Sequence, residues 1–160
     1  MSATITDADF KAAMGQFLTG VTIVSCIKDD GRPYGLTVNS FASVSLNPRL
    51  VLWSLIKGNS SAEDFANTSS FSIAFLGADQ GALCTRFATD HEDRFATVDW
   101  QIGQNGAPLI TGCPCVLECR PYAQYDGGDH IIHVGEVLAI HQHETDTPPM
   151  SYYAGKVNAI

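Results

Sequence analysis

The chain has 160 residues, 45% hydrophobic and 16% charged, with nine Lys/Arg against 17 Asp/Glu and a formal net charge of -8. That length suits one domain over residues 1–160 with a real core, and the acidity argues against nucleic acid or an anionic membrane as partner, since both would repel it. No run approaches the ~20 apolar residues of a membrane span, no basic-then-apolar start marks export, and the five cysteines read as reduced thiols in a cytoplasm.

Thr6 can cap a first helix, with Asp9 reaching back in a capping box and Ile5 stapled to Phe10. Phe10, Met14, Phe17 and Leu18 then fall on one stripe, and Gly20 supplies the stop. Val21 to Ile27 is β-branched, and Asp29, Asp30 and Gly31 turn it into a second strand from Pro33 to Phe41. Asn47 and Pro48 mark a turn before Leu50 to Leu55, and Phe71 to Leu76 is another short strand. Ala78 to Ala88 and His91 to Val98 suggest short helices or irregular crossings. Val116 to Ala123 and Ile131 to Ile140 form a last strand pair across Asp126, Gly127 and Gly128, and the tail with Pro148 and Pro149 is extended. Many short strands with few helices predict a mainly β fold, an antiparallel barrel or sandwich.

Three stretches carry candidate chemistry. Along Gly35-Leu36-Thr37-Val38-Asn39-Ser40, small and polar groups face outward and a flat ring could lie against the backbone, Gly35 allowing close approach; an ordinary half-exposed strand shows the same alternation. In Ser54 to Ser61 a strand ends at Lys57 and Gly58, and Ser60 or Ser61 caps a short helix with Glu63 three residues after Ser60. Amides, hydroxyls and one ammonium there suit a terminal phosphate, although a simple capping box reads alike. His130, after Gly128-Asp129, stands at a strand mouth where it could meet a cofactor or merely be exposed. Cys113, Cys115 and Cys119 with His130 and His133 lack the paired spacing of a zinc site, so no metal is expected. His141 and His143 lead into a polar tail and read as solvated. Without G-x-G-x-x-G or G-x-S-x-G, neither a Rossmann site nor a nucleophile elbow is indicated.

Taken in order, Phe17-Leu18-Thr19-Gly20-Val21-Thr22, Gly35 to Phe41, Ser43-Val44-Ser45-Leu46 with Pro48, Asp93-Arg94-Phe95 with Trp100, Leu117-Glu118-Cys119, and Gly128-Asp129-His130 with Val134-Gly135 resemble the short-chain flavin reductases. These are small components that feed reduced flavin to two-component monooxygenases. The resemblance implies a Greek-key antiparallel split β-barrel with a few short helices, a homodimer, and a monooxygenase as partner. It implies FMN or FAD as the flavin, reduced by NADH or NADPH. Thr37, Val38, Asn39 and Ser40 match the segment along the ring and ribityl chain, and Ser54, Lys57, Ser60 and Ser61 match the phosphate turn. His130 matches a histidine near flavin and nicotinamide, the one residue given a catalytic place. Tyr152, Tyr153 and Gly155 fall in a C-terminal motif that helps hold the nicotinamide nucleotide. Readings outside that family are a flavin-binding electron carrier, an oxidase of a phosphorylated vitamin, and a non-enzymatic β-barrel interaction module.

Overall fold

The computed structural model describes residues 4–89 and 93–159; His91 and Glu92, in the second expected crossing, lie outside the described residues. Helix α1 (Asp7–Met14) begins as its sequence predicts: Thr6 Oγ1 accepts from Asp9 N at 3.2 Å, and the Asp9 carboxylate accepts from Thr6 N at 3.0 Å. Hydrogen bonds from Thr6 hold the Asp9 carboxyl below its ordinary value. The helix ends at Gly15, well short of Gly20. Its expected stripe of Phe10, Met14, Phe17 and Leu18 is exposed, so no packing among the described residues prolongs so short a helix. Gly20 belongs instead to β1 (Thr19–Gly20).

Strands β2 (Thr22–Ile27) and β3 (Pro33–Val38) form a hairpin, as do β4 (Ala42–Leu46) and β5 (Arg49–Ile56). The single strand expected over Pro33 to Phe41 therefore ends at Val38, and β4 was not anticipated. The physical reason is partner choice: Val38 is the last residue of β3 opposite β2, whereas Ala42 opens a ladder with Leu52 of β5. Then follow α2 (Ala62–Asn67), β6 (Phe71–Phe75), α3 (Gly81–Ala88), and the small hairpin of β7 (Trp100–Ile102) and β8 (Pro108–Ile110). Strands β9 (Cys115–Gly127) and β10 (His130–Gln142) run beyond their expected bounds. They meet through Gly128-Asp129, and Gly128 at φ 80° supplies the positive φ that the first position of a type II′ hairpin turn requires. The tail closes with β11 (Met150–Tyr153) and β12 (Lys156–Ala159), anchored where Ala78 N donates to the Pro148 carbonyl at 2.8 Å.

The main sheet has seven antiparallel strands in the order β3-β2-β6-β9-β10-β5-β4. Consecutive strands β3 and β4 thus occupy opposite edges, and register shifts between Val134 and Gly135 and between Val137 and Ala139 bend the long hairpin that lies between. The Asn39–Phe41 crossing joins the two edges, and among the described residues no ladder pairs β3 with β4, so the fold is a split barrel rather than a closed one. One core cluster gathers Trp53, Phe65, Phe71 and Ile73 inside the sheet; a second packs Phe87, Phe95, Ile110 and Met150 beneath α3 and the tail. Close packing is strict in places: a Cβ on Gly135 would come within 2.3 Å of the Phe71 ring.

Candidate functional site

The site begins at the end of β3, an edge strand with a ladder on one side only. Thr37 Oγ1 donates to the Cys84 carbonyl of α3 at 2.8 Å, and the Val38 carbonyl accepts from Thr22 Oγ1 at 3.2 Å, with the Val38 side chain buried. The side chains of Thr37 and Val38 therefore serve the fold, and what that edge offers a ligand is backbone. Asn39 is exposed. Ser40 bridges toward the opposite edge: its Oγ accepts from Ser54 N at 2.9 Å and donates to the Ser54 carbonyl at 3.3 Å. That pair of bonds brings the β3 segment directly against β5, whose far end carries Lys57.

Gly35 works differently from the expectation. A Cβ there would lie 2.7 Å from Ser25 Oγ and 2.9 Å from the Phe87 ring, so its missing side chain admits the protein's own core and not a ligand. The Asp93-Arg94-Phe95 segment packs against the same strand. The Arg94 guanidinium donates to the Gly35 carbonyl at 2.7 Å and to Tyr34 Oη at 2.8 Å, and Arg86 in turn donates to the carbonyls of Arg94 and Asp93 at 2.6 and 2.8 Å. Two arginines thus brace β3 from its rear.

Past β5, the Ser60–Glu63 capping box does not form. Ser61, not Ser60, is the N-cap residue of α2; it is buried and makes no side-chain cap bond, and its backbone N–H donates to Asn59 Oδ1 at 2.8 Å. Ser60 is exposed, and Lys57 points to the tip of the β9–β10 hairpin, its Nζ 2.6 Å from Asp126 Oδ2. Lys57 N also donates to the Asp129 carbonyl at 3.0 Å. At that tip His130, opposite Ile56, lies with Nδ1 2.7 Å from Asp129 Oδ1; Nε2 has no partner among the described residues. The hydrogen bond from Lys57 holds the Asp126 carboxyl below its ordinary range, and His130 does the same for Asp129. Ser40, Ser54, Lys57 and His130 are therefore linked along one path.

Tyr152, Tyr153 and Gly155 sit apart from that path. Ala154 and Gly155, at φ 51° and 77°, form the two-residue turn between β11 and β12, so Gly155 is explained by the turn itself. The hairpin is tied to the N-terminal segment: Tyr152 lies opposite Thr19, Ala154 N donates to the Gly15 carbonyl at 2.9 Å, and Tyr153 Oη donates to Gln16 Oε1 at 3.1 Å. The connection to the ring segment runs through β1 into β2, where Thr22 pairs with Val38.

The cysteines have structural surroundings. Burial pushes the thiols of Cys26 and Cys119 up to about 12 and that of Cys113 up to about 11, which leaves them protonated and unreactive. His133 lies in the core, stacked on Trp53 with ring centroids 4.5 Å apart, far deeper than His130. The expectation of a solvated His141 fails: its Nε2 is 2.6 Å from Glu118 Oε1, while Glu118 Oε2 accepts from Asn105 N at 2.8 Å. Glu118 is 1% exposed. Sequence reading missed this network, and its signal was a charged residue inside the apolar run Val116–Cys119.

A flavin reductase like domain matches residues 14–160. The chain is 46% identical over 147 residues to the FMN reductase (NADH) SmoA of Agrobacterium fabrum (strain C58), a match covering 91% of this chain and 82% of that one. It is 43% identical over 129 residues to the reductase component of the flavin-dependent trigonelline monooxygenase of Acinetobacter baylyi, covering 81% of this chain and 42% of that longer one. Among solved structures, the Streptomyces globisporus C-1027 NADH:FAD oxidoreductase SgcE6, in complex with NAD and FAD fragments, superposes with a TM-score of 0.89 at 35% identity, covering 99% of this chain and 97% of that one. With the domain match spanning residues 14–160, the chain belongs to the flavin reductase family.

Proposed function

We propose that this protein is an NAD(P)H-dependent flavin reductase that transfers hydride from NADH or NADPH to FMN or FAD and supplies the reduced flavin to a partner monooxygenase. Relatives named as an FMN reductase (NADH) and as a monooxygenase reductase component support both halves of that reading. The observation that carries it within this chain is the Ser40–Ser54 bridge, which ties an unladdered strand edge to the turn holding Lys57. A flavin fits such a place: the edge of β3 around Thr37 to Ser40 presents backbone groups to a ring, and Ser54, Lys57, exposed Ser60 and neighbouring Ser61 surround the region of a terminal phosphate. The bound flavin supplies the hydride-accepting chemistry, so the protein's task is position and charge, and no acid, base or nucleophile is required. His130, with Asp129 fixing Nδ1 and Nε2 turned outward, orients the nicotinamide. The β11–β12 hairpin with Tyr152, Tyr153 and Gly155 bounds the nucleotide on the other side.

The assembly we assign is a cytoplasmic homodimer. Strands β4, β5 and β10 expose Val44, Leu46, Ile56, Leu138 and Ile140, an apolar surface that a second copy would cover. The cysteines are free, and among the described residues no helix is long and apolar enough to cross a membrane. Sedimentation at micromolar concentration that returned a monomer would remove the dimer.

The deciding assay is steady-state oxidation of NADH and of NADPH with FMN, FAD and riboflavin in turn. Turnover with a flavin nucleotide is expected. A protein that binds flavin but oxidises neither nicotinamide is an electron carrier, and one that binds no flavin is an interaction module.

A further inference from the structure

The side chain assigned to the flavin phosphate is already engaged. Lys57 Nζ lies 2.6 Å from Asp126 Oδ2, while Asp126 Oδ1 accepts from Gly128 N at 3.0 Å, so the turn of the β9–β10 hairpin holds the carboxylate in place. The next carboxylate along that turn, Asp129, takes His130 Nδ1. One hairpin tip therefore sets two anions against the two side chains that the site would turn toward an anionic nucleotide. The Lys57–Asp126 pair is exposed on both sides, 40% and 74%, and exposed pairs of this kind are weak and exchange readily. A phosphate approaching Lys57 must displace the Asp126 carboxylate or share the ammonium with it, and at that range the two anions repel well inside the screening length.

Resting on the reading of Lys57 as a phosphate contact, we propose that Asp126 is a positioning residue that competes with the flavin phosphate for Lys57 and holds down the advantage of FMN over riboflavin. The consequence suits a reductase whose product must leave: a flavin released from an ammonium finds that ammonium neutralised again by its own hairpin. The competitor is covalently part of the site, so its effective concentration does not fall as flavin dissociates.

The experiment compares FMN and riboflavin binding, by quenching of flavin fluorescence at low and high salt, to the full chain and to its Asp126→Asn, Asp126→Glu and Lys57→Ala variants. Asparagine keeps an acceptor for Gly128 N, so the turn survives while the charge is lost. Asp126→Asn should tighten FMN about threefold to tenfold at low salt, leave riboflavin within about twofold, and lose most of the gain at high salt; Asp126→Glu should bind as the parent does. Unchanged or weaker FMN binding in Asp126→Asn, or an equal change for both ligands, overturns the competition. The underlying assignment is read separately: Lys57→Ala that leaves the FMN-to-riboflavin ratio unaltered removes Lys57 from the phosphate, whereas a lowered ratio with no Asp126 effect removes only the competition.

Discussion

The β9–β10 hairpin carries a histidine–carboxylate pair near each of its ends. At the tip, His130 and Asp129 meet at 2.7 Å with their side chains 41% and 83% exposed; toward the base, His141 and Glu118 meet at 2.6 Å, with Glu118 1% exposed. The chemistry is the same and the depth is not. Glu118 spends both oxygens inside the protein, on His141 and on Asn105 N, and the backbone leaves it no spare room, since a Cβ on Gly103 would lie 2.7 Å from Oε2. Asp129 loses little by exchanging its partner for water. Burial therefore turns one pair into a structural joint and leaves the other available to a ligand.

The largest effect expected from this contrast is on stability. Glu118→Ala strands the half-buried His141 ring and the Asn105 N–H, and leaving a group without its partner inside the protein costs about 1–3 kcal/mol for each. The midpoint of urea unfolding should fall accordingly at an unchanged slope, while each folded molecule keeps its turnover, because Glu118 lies outside the site. A midpoint as little changed as that of Asp129→Asn would show that depth is not what separates the pairs.

A third histidine sharpens the comparison by having no carboxylate at all. Burial against Trp53 pushes the His133 imidazole down from 6.5 to about 4. The native state keeps it neutral while the unfolded chain takes up a proton below pH about 6.5, so its contribution is whole above that pH and is lost as pH falls from there to about 4. At about 1.4 kcal/mol per unit the loss reaches roughly 3 kcal/mol. The paired carboxylates of Asp30, Asp126 and Asp129, held below their ordinary 3.8, act mostly at lower pH. Urea titrations across that window should slope for the parent and flatten for the non-titrating His133→Gln; parallel slopes would place the acid sensitivity elsewhere.

How far such differences can be read from sequence follows from their range. The Thr6–Asp9 cap, the β2–β3 hairpin and the Gly128 turn are local, set by residues within a few positions of one another, and the family motifs carried the split barrel. What escaped depends on contacts distant in the chain. Nothing near Glu118 announces His141, 23 residues on, and nothing near Gly35 announces Arg94 or Phe87. The helix toward Gly20 failed for a related reason: its apolar stripe has a good period but stays exposed among the described residues. Lys57 was legible as a cation at a turn, but its engagement by Asp126 needs the hairpin of a different ladder.

The smallest expected change in stability falls on the tip, and there the effect should move to the rate. His130→Ala removes a half-exposed ring whose one protein partner is an exposed carboxylate, so unfolding should shift by no more than about 0.5 kcal/mol. If Nε2 orients the nicotinamide, the same change slows flavin reduction and raises the KM for NADH, with kcat/KM falling roughly 10- to 100-fold. Flavin affinity should be largely kept, because the flavin contacts we propose come from the β3 backbone for the ring and from Lys57 and its neighbours for the phosphate. Stopped-flow reduction of bound flavin across a range of NADH concentrations separates the rate of reduction from nicotinamide binding. His141→Ala is the matched control: it should lower the unfolding midpoint and leave the reduction rate alone, the mirror image of the His130 variant. Reduction kinetics unchanged in His130→Ala would take His130 out of the site and leave both pairs of the hairpin with structural roles only.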